Sequence, residues 1–426
     1  MPKPDSTSSD PWWKRLGGGL VTGAADDDPS GVATYSQVGA QFGYATLWTL
    51  VLALPLMIGI QMVSARIGRV TGRGLADNMM RNFPKGLVWS ITVLLVVANV
   101  INIGADLGAM GAAVNLLIGG PTLLYACILA VVSTALQVYV PFSRYSPILK
   151  FLALSLLTYV ATVFVIKVPW AEATKGTFIP AFQTTAAYAT AIVAILGTTI
   201  SPYLFSWQAA QEVEEIRDSD EREPLKHADE QAPDAFKRIA IDTSVGMVVS
   251  NVVAFFIILT AAVVLHAHGK TDIQSSSEAA EALKPVAGKF AFALFSMGIV
   301  GTGMLAVPVL AGATAFTVAG TMRAAYGLEH KPADAKLFYG VLVGSMLVGA
   351  LLNLTPIDPI KALFWSAVVN GICAVPMMVA IMIIANRPKT MGNHGIGRGL
   401  KILGWIATFV MLVAAVVMFA TMGKGS

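Results

Sequence analysis

The chain has 426 residues, 55% of them hydrophobic and 13% charged, with a net charge of +4. A soluble domain carries about a quarter charged residues, so this surface cannot mostly face water, and soluble or disordered chains are excluded. The small positive charge is no nucleic-acid signature; Lys and Arg gather in a few segments between long apolar runs.

Each run is near the roughly 20 residues that cross a bilayer as a helix. In chain order the predicted spans are 17–42, 45–66, 87–117, 121–140, 146–168, 184–211, 238–266, 286–322, 337–354, 358–385 and 400–422. The expected fold class is an all-α integral membrane protein with about eleven transmembrane helices. Residues 1–16 read as a polar cytoplasmic tail without a cleavable signal, and 17–426 as a single transmembrane domain. Segment 212–236 mixes acids and bases and reads as a solvated loop.

Lys and Arg set the expected orientation. With the N-terminus cytoplasmic, 22 of the 29 basic residues fall in inside segments, including Arg66, Arg69, Arg73, Arg81, Lys85, Arg217, Arg222, Lys226, Lys237 and Arg238. The expectation is a multi-pass protein of a cell membrane, a prokaryotic inner membrane, with the C-terminus outside. Cys127 and Cys373 lie in apolar runs and offer neither a disulfide framework nor zinc spacing. No nucleophile–base constellation lies within the spans, so no enzyme is expected. No cofactor or obligatory protein partner is expected either; the lipid bilayer is the expected surround.

Two spans are interrupted, five apart. Span 1 contains Asp28-Pro29-Ser30-Gly31, and span 6 contains Gly197-Thr198-Thr199-Ile200-Ser201-Pro202. Pro29 and Pro202 each remove a backbone donor and clash with the preceding turn. Interrupted helices at corresponding positions of two halves point to a transporter's midplane binding site. Spans 1–5 (about 17–168) and 6–10 (about 184–385) then form two repeats, and span 11 (about 400–422) is extra.

A carboxylate inside a span is costly and marks a functional candidate. Asp26, Asp27 and Asp28 lie about ten residues into span 1. Carboxylate, freed carbonyls and hydroxyls together make a hard-cation environment. Asp26 or Asp27 is the expected cap of the following half-helix, and Asp28 the functional acid. Thr198, Ser201 and Tyr203 flank the second break as a possible second wall. Asn99, Asn102, Asp106, Asn115, Asp242, Asn251 and Asn353 read mostly as helix-linking polar groups. Asn370, mid-span in span 10, is the exception, able to offer an amide oxygen.

At these residues the chain resembles the natural resistance-associated macrophage protein (NRAMP) family of divalent-metal transporters. That family's first-span Asp-Pro-Gly-Asn motif reads Asp28-Pro29-Ser30-Gly31 here. The end of span 2 is matched by Ala65-Arg66-Ile67-Gly68-Arg69-Val70-Thr71-Gly72-Arg73-Gly74-Leu75-Ala76, and span 3 by Ala105-Asp106-Leu107 and Asn115-Leu116-Leu117. The sixth-span Met-Pro-His falls on Ser201-Pro202-Tyr203. The resemblance covers nearly the whole chain. It implies a LeuT-like inverted repeat, alternating access, and a divalent metal ion as substrate, held at Asp28, Gly31, Thr198 and Ser201, with Tyr203 beside them and Asn370 from span 10.

The departures narrow the expectation. The family's Asn has become Gly31 and its soft Met has become Ser201, a small oxygen donor; thioethers favour transition metals and oxygens favour hard ions. Mg²⁺ keeps several waters, so a roomier oxygen-lined site points to Mg²⁺, with Mn²⁺ alongside. The motif His has become Tyr203, and a second family His matches Gln208. The span 3 acid beyond Asp106 is Ala109, and span 9 has no Arg. Asp106 and Gln208 remain as pathway or coupling candidates, and proton coupling is not expected. The pattern resembles the NRAMP-related magnesium transporters. Proton-coupled Mn²⁺/Fe²⁺ transport and an amino-acid-type symporter on the same scaffold stay open as alternatives, as does a membrane sensor. Asp28 would repel an amino acid's carboxylate, which counts against the symporter.

Overall fold

The computed structural model describes residues 22–422 except 24, 141–150, 152, 153, 220, 274, 329 and 357. Among the described residues, all regular structure is helical. Eight helices are long and apolar enough to cross a membrane: Trp48–Thr71, Lys85–Ile118, Thr122–Tyr139, Ala186–Arg217, Asp229–His268, Gly288–Met322, Pro359–Ala385 and Arg398–Met422. They coincide with predicted spans 2, 3, 4, 6, 7, 8, 10 and 11. Span 9 is the shorter apolar helix Lys336–Leu352. Span 5 is described only in part, with a short apolar helix at Leu154–Val163, and the N-terminal tail lies outside the described residues.

Spans 1 and 6 are broken where their prolines stand. Span 1 is helical up to Asp26, bends at Asp27, and restarts as Pro29–Phe42 with Pro29 in the first turn. Span 6 is two helices, Ala186–Thr199 and Pro202–Arg217, the second again opening on proline. Proline is tolerated in a first turn because its missing N–H would be unpaired there anyway. Pro55, Pro308 and Pro376 lie inside continuous helices, so the neighbouring residues, not proline alone, decide whether the helix stops.

The acidic segment after span 6 differs from expectation. Residues 212–217 continue the helix, and Glu212 and Glu214 are buried. Arg238 of span 7 explains this: it lies 2.5 Å from Glu212 and 3.0 Å from Glu215, and Arg222 lies 2.7 Å from Glu215. Ion pairing lets the acids stay in helix, and the solvated stretch shrinks to the short connection before span 7.

Two large apolar cores flank the breaks, one centred on spans 1, 3, 7, 8 and 9, the other on spans 2, 10 and 11, and span 6 contributes to both. Span 11 leaves large apolar side chains outward, with Phe409 65% and Val416 56% exposed. Such surface suits hydrocarbon, not water. Glycine permits the closest crossing: a Cβ on Gly197 would lie 2.1 Å from Ala367 O and 2.6 Å from Gly371 N of span 10. Only a residue without Cβ lets span 6 reach span 10 just before its break. Gly197→Ala is therefore expected to cost about 1–3 kcal/mol by overpacking, read as a lower Tm of the detergent-purified protein; an unchanged Tm would contradict the contact.

Candidate cation site

The restart of span 1 organises the site. Asp28 is the N-cap of Pro29–Phe42, at φ −65° and ψ 170°. Its Oδ1 accepts the Gly31 N–H at 2.7 Å and the Ser30 hydroxyl at 2.7 Å. An N-cap carboxylate satisfies a helix's orphan donors and sits at the positive end of its dipole. The expected capping role of Asp26 or Asp27 thus belongs to Asp28. The other two share a hydroxyl of span 7: Ser250 Oγ lies 2.6 Å from Asp26 Oδ2 and 3.1 Å from Asp27 Oδ1.

The second oxygen of Asp28 faces spans 3 and 6. Asn102 Nδ2 donates to Oδ2 at 3.1 Å, and the Tyr203 hydroxyl lies 3.3 Å from it. The same hydroxyl lies 3.1 Å from Ala25 O, on the other side of the break. All four partners of Asp28 are neutral, and Asp28 is 1% exposed. A buried carboxylate without a cation is costly; hydrogen bonds to the charged group offset part of that cost.

Span 6 approaches at Gly31. A Cβ there would lie 3.2 Å from Thr198 Oγ1 and 3.2 Å from Asp26 O, so the glycine brings the two broken helices together. Ser201 Oγ lies 2.7 Å from Gly197 O and 2.9 Å from Thr198 O. With one hydrogen, its hydroxyl donates to one of these two freed carbonyls at a time.

The structure thus gathers Asp28, Gly31, Thr198 and Tyr203 at the paired breaks, with Ser201 closing the span 6 turn. Gln208 is placed differently: its Oε1 accepts from Thr22 Oγ1 at 2.6 Å, tying the first half of span 1 to the second half of span 6. Asn370 is buried, and its Oδ1 has no partner among the described residues. It stands one turn beyond Ser366, whose hydroxyl lies 2.6 Å from Asn102 Oδ1 and so joins the Asp28 network. Asp106 joins too, its Oδ2 lying 3.4 Å from Asn102 Nδ2.

Asn102 is the site residue that sequence reasoning placed among helix-linking groups. Its signal was present: Asn102 and Asp106 are four apart, on one face of a helix. Ser366 carried no such signal, since hydroxyls commonly bond their own helix. Among the described residues no group of three or more His, Cys, Asp or Glu forms a metal cage. The available donors are one or two carboxylates with hydroxyls, carbonyls and amides, a set suited to a partly hydrated hard cation.

The family profile "Natural resistance-associated macrophage protein-like" matches residues 19–421. The divalent metal cation transporter MntH of Klebsiella pneumoniae (strain 342) is 26% identical over 404 residues, covering 93% of this chain and 91% of that protein. The corresponding protein of Pectobacterium carotovorum subsp. carotovorum (strain PC1) is 26% identical over 414 residues, 95% and 93%. Among solved structures, a mutant of the Eremococcus coleocola manganese transporter superposes with a TM-score of 0.75 at 16% identity, covering 98% of this chain and 88% of that one. Mhp1, a nucleobase-cation-symport-1 family transporter, superposes at 0.60 and 14% identity, covering 96% and 93%. These two likenesses show the fold, an all-helical LeuT-like transporter fold with broken first and sixth spans. The chain is a multi-pass membrane protein that belongs to the natural resistance-associated macrophage protein-like family.

Proposed function

We propose that this protein carries divalent cations across the membrane by alternating access, Mg²⁺ first and Mn²⁺ with it, without proton coupling. The observation that carries the reading is Asp28: a buried carboxylate at the meeting of two broken helices, held by neutral donors alone. A divalent cation supplies the positive charge this position lacks. The relatives named as divalent-metal and manganese transporters support the substrate class.

In this reading Asp28 is the anionic ligand. Gly31 and Thr198 border the ion through the backbone, Ser201 supplies an oxygen in place of a soft sulfur, Tyr203 orients Asp28, and Asn370 faces the site from span 10. The loss of sulfur favours hard ions. Tyr203 replaces a titratable imidazole with a group whose unperturbed pKa is about 10, which removes a proton carrier. Asp106 and Gln208 line the route. The N-terminus is cytoplasmic, the C-terminus outside, and residues 17–168 and 184–385 are the repeats that rock against each other.

Proteoliposomes containing the full chain test this. Mg²⁺ and Mn²⁺ uptake is expected without acidification of the lumen, and Asp28→Ala is expected to lower it by about tenfold or more, the loss of a charge-assisted ligand worth about 1.5–3 kcal/mol. Lumen acidification driven by the metal would replace the uncoupled reading with proton-coupled Mn²⁺ transport. Absence of flux for both metals would sink the proposal. Ser201→Met is expected to shift uptake by about tenfold towards Mn²⁺ and Cd²⁺ over Mg²⁺, because it restores a soft ligand; an unchanged ratio would remove Ser201 from the site.

A further inference from the structure

Asn102 is wholly buried and its Nδ2 donates towards two intramembrane carboxylates, 3.1 Å from Asp28 Oδ2 and 3.4 Å from Asp106 Oδ2. Its Oδ1 points the other way, 2.6 Å from Ser366 Oγ of span 10. The two N–H groups hold the place that a cation between these carboxylates would take. The oxygen end of the same amide is a hard ligand, and a half-turn about Cβ–Cγ brings it there.

The surroundings accept that turn. Ser366 Oγ lies 2.7 Å from Leu363 O as well as 2.6 Å from Asn102 Oδ1. A hydroxyl has one hydrogen and two acceptor lone pairs, so it serves only one of these oxygens as donor. With that hydrogen on Leu363 O, Ser366 accepts from the turned Nδ2, and no polar atom of the amide is orphaned. Asp106 Oδ1 has no hydrogen-bond partner among the described residues, which leaves it open to a cation or its water. At position 31 a side chain would be tight, its Cβ 3.2 Å from both Thr198 Oγ1 and Asp26 O, so these neighbours would have to give by a few tenths of an ångström.

We propose that Asn102 is a ligand of the transported cation: on loading, its amide turns, Oδ1 replaces Nδ2 opposite Asp28 and Asp106, and span 3 supplies the amide oxygen that Gly31 lacks. The amide thereby selects for hard cations and links loading to spans 3 and 10. This rests on the divalent-cation reading of Asp28.

Calorimetric titration of the purified full-length protein with Mg²⁺ and Cd²⁺ tests it, comparing wild type, Asn102→Asp, Asn102→Cys, Asn102→Leu and Asp28→Ala. Asp keeps an oxygen ligand but cannot donate to Asp28, so Mg²⁺ binding is expected to stay within about threefold of wild type or tighten, whereas Leu weakens it by about tenfold or more. Cys is expected to raise Cd²⁺ affinity relative to Mg²⁺ by about tenfold or more, since a thiolate is a soft ligand. A purely structural amide would move neither ratio in this way. If Asp weakens Mg²⁺ as much as Leu does, or Cys brings no gain for Cd²⁺, Asn102 only orients Asp28 and the inference is overturned. The Asp and Cys variants decide the matter even if Leu fails to fold. A wild type that binds neither metal, with Asp28→Ala indistinguishable from it, overturns the cation reading and this inference together; wild-type binding that Asp28→Ala abolishes leaves the Asn102 variants to decide the inference alone.

Discussion

Inside a bilayer, a helix that stops must satisfy its own freed backbone groups, since no water is there to do so. In this protein short polar side chains beside each break do that work. Asp28 takes the Gly31 N–H, and Ser201 turns back onto the carbonyls of Gly197 and Thr198. The first arrangement fixes a carboxylate at mid-span in a single orientation. Everything else at the site follows from that orientation, because the second oxygen of Asp28 must then face Asn102 and Tyr203.

Close helix approach keeps the site together. Gly31 lets span 1 meet Thr198, and Gly197 lets span 6 meet span 10 beside Gly371. A larger residue at either position would push apart the walls that face Asp28. At the other end of span 6, Glu212 and Glu215 are clamped by Arg238 of span 7. The second half of span 6 therefore ends in a charge clamp, while the breaks are stitched by single hydroxyls and one carboxylate.

Much of this was legible in the sequence. Long apolar runs give the spans, because bilayer thickness fixes helix length. The breaks are visible because proline beside glycine and short polar residues opposes helix continuation, whereas Pro55, Pro308 and Pro376, set among apolar residues, stay in helix. What was not legible depends on three-dimensional partners. Glu212 looked like a loop residue until Arg238 stood beside it. Asp28 and its two acidic neighbours carry the same side chain, and only geometry separates the cap from the pair that shares Ser250. Asn102 looked like one intramembrane amide among several, and Ser366 like an ordinary helix hydroxyl; both acquire meaning through spans far apart in sequence.

The proposed site has a divalent cation bound against Asp28 where the two broken helices meet. The most direct measurement is a crystal structure with Mn²⁺, located by its anomalous scattering. One strong peak is expected within coordination distance of an Asp28 carboxylate oxygen, about 2.0–2.6 Å, and is expected to vanish in Asp28→Ala crystals. A peak that persists in that variant, or that lies away from the paired breaks, would contradict it.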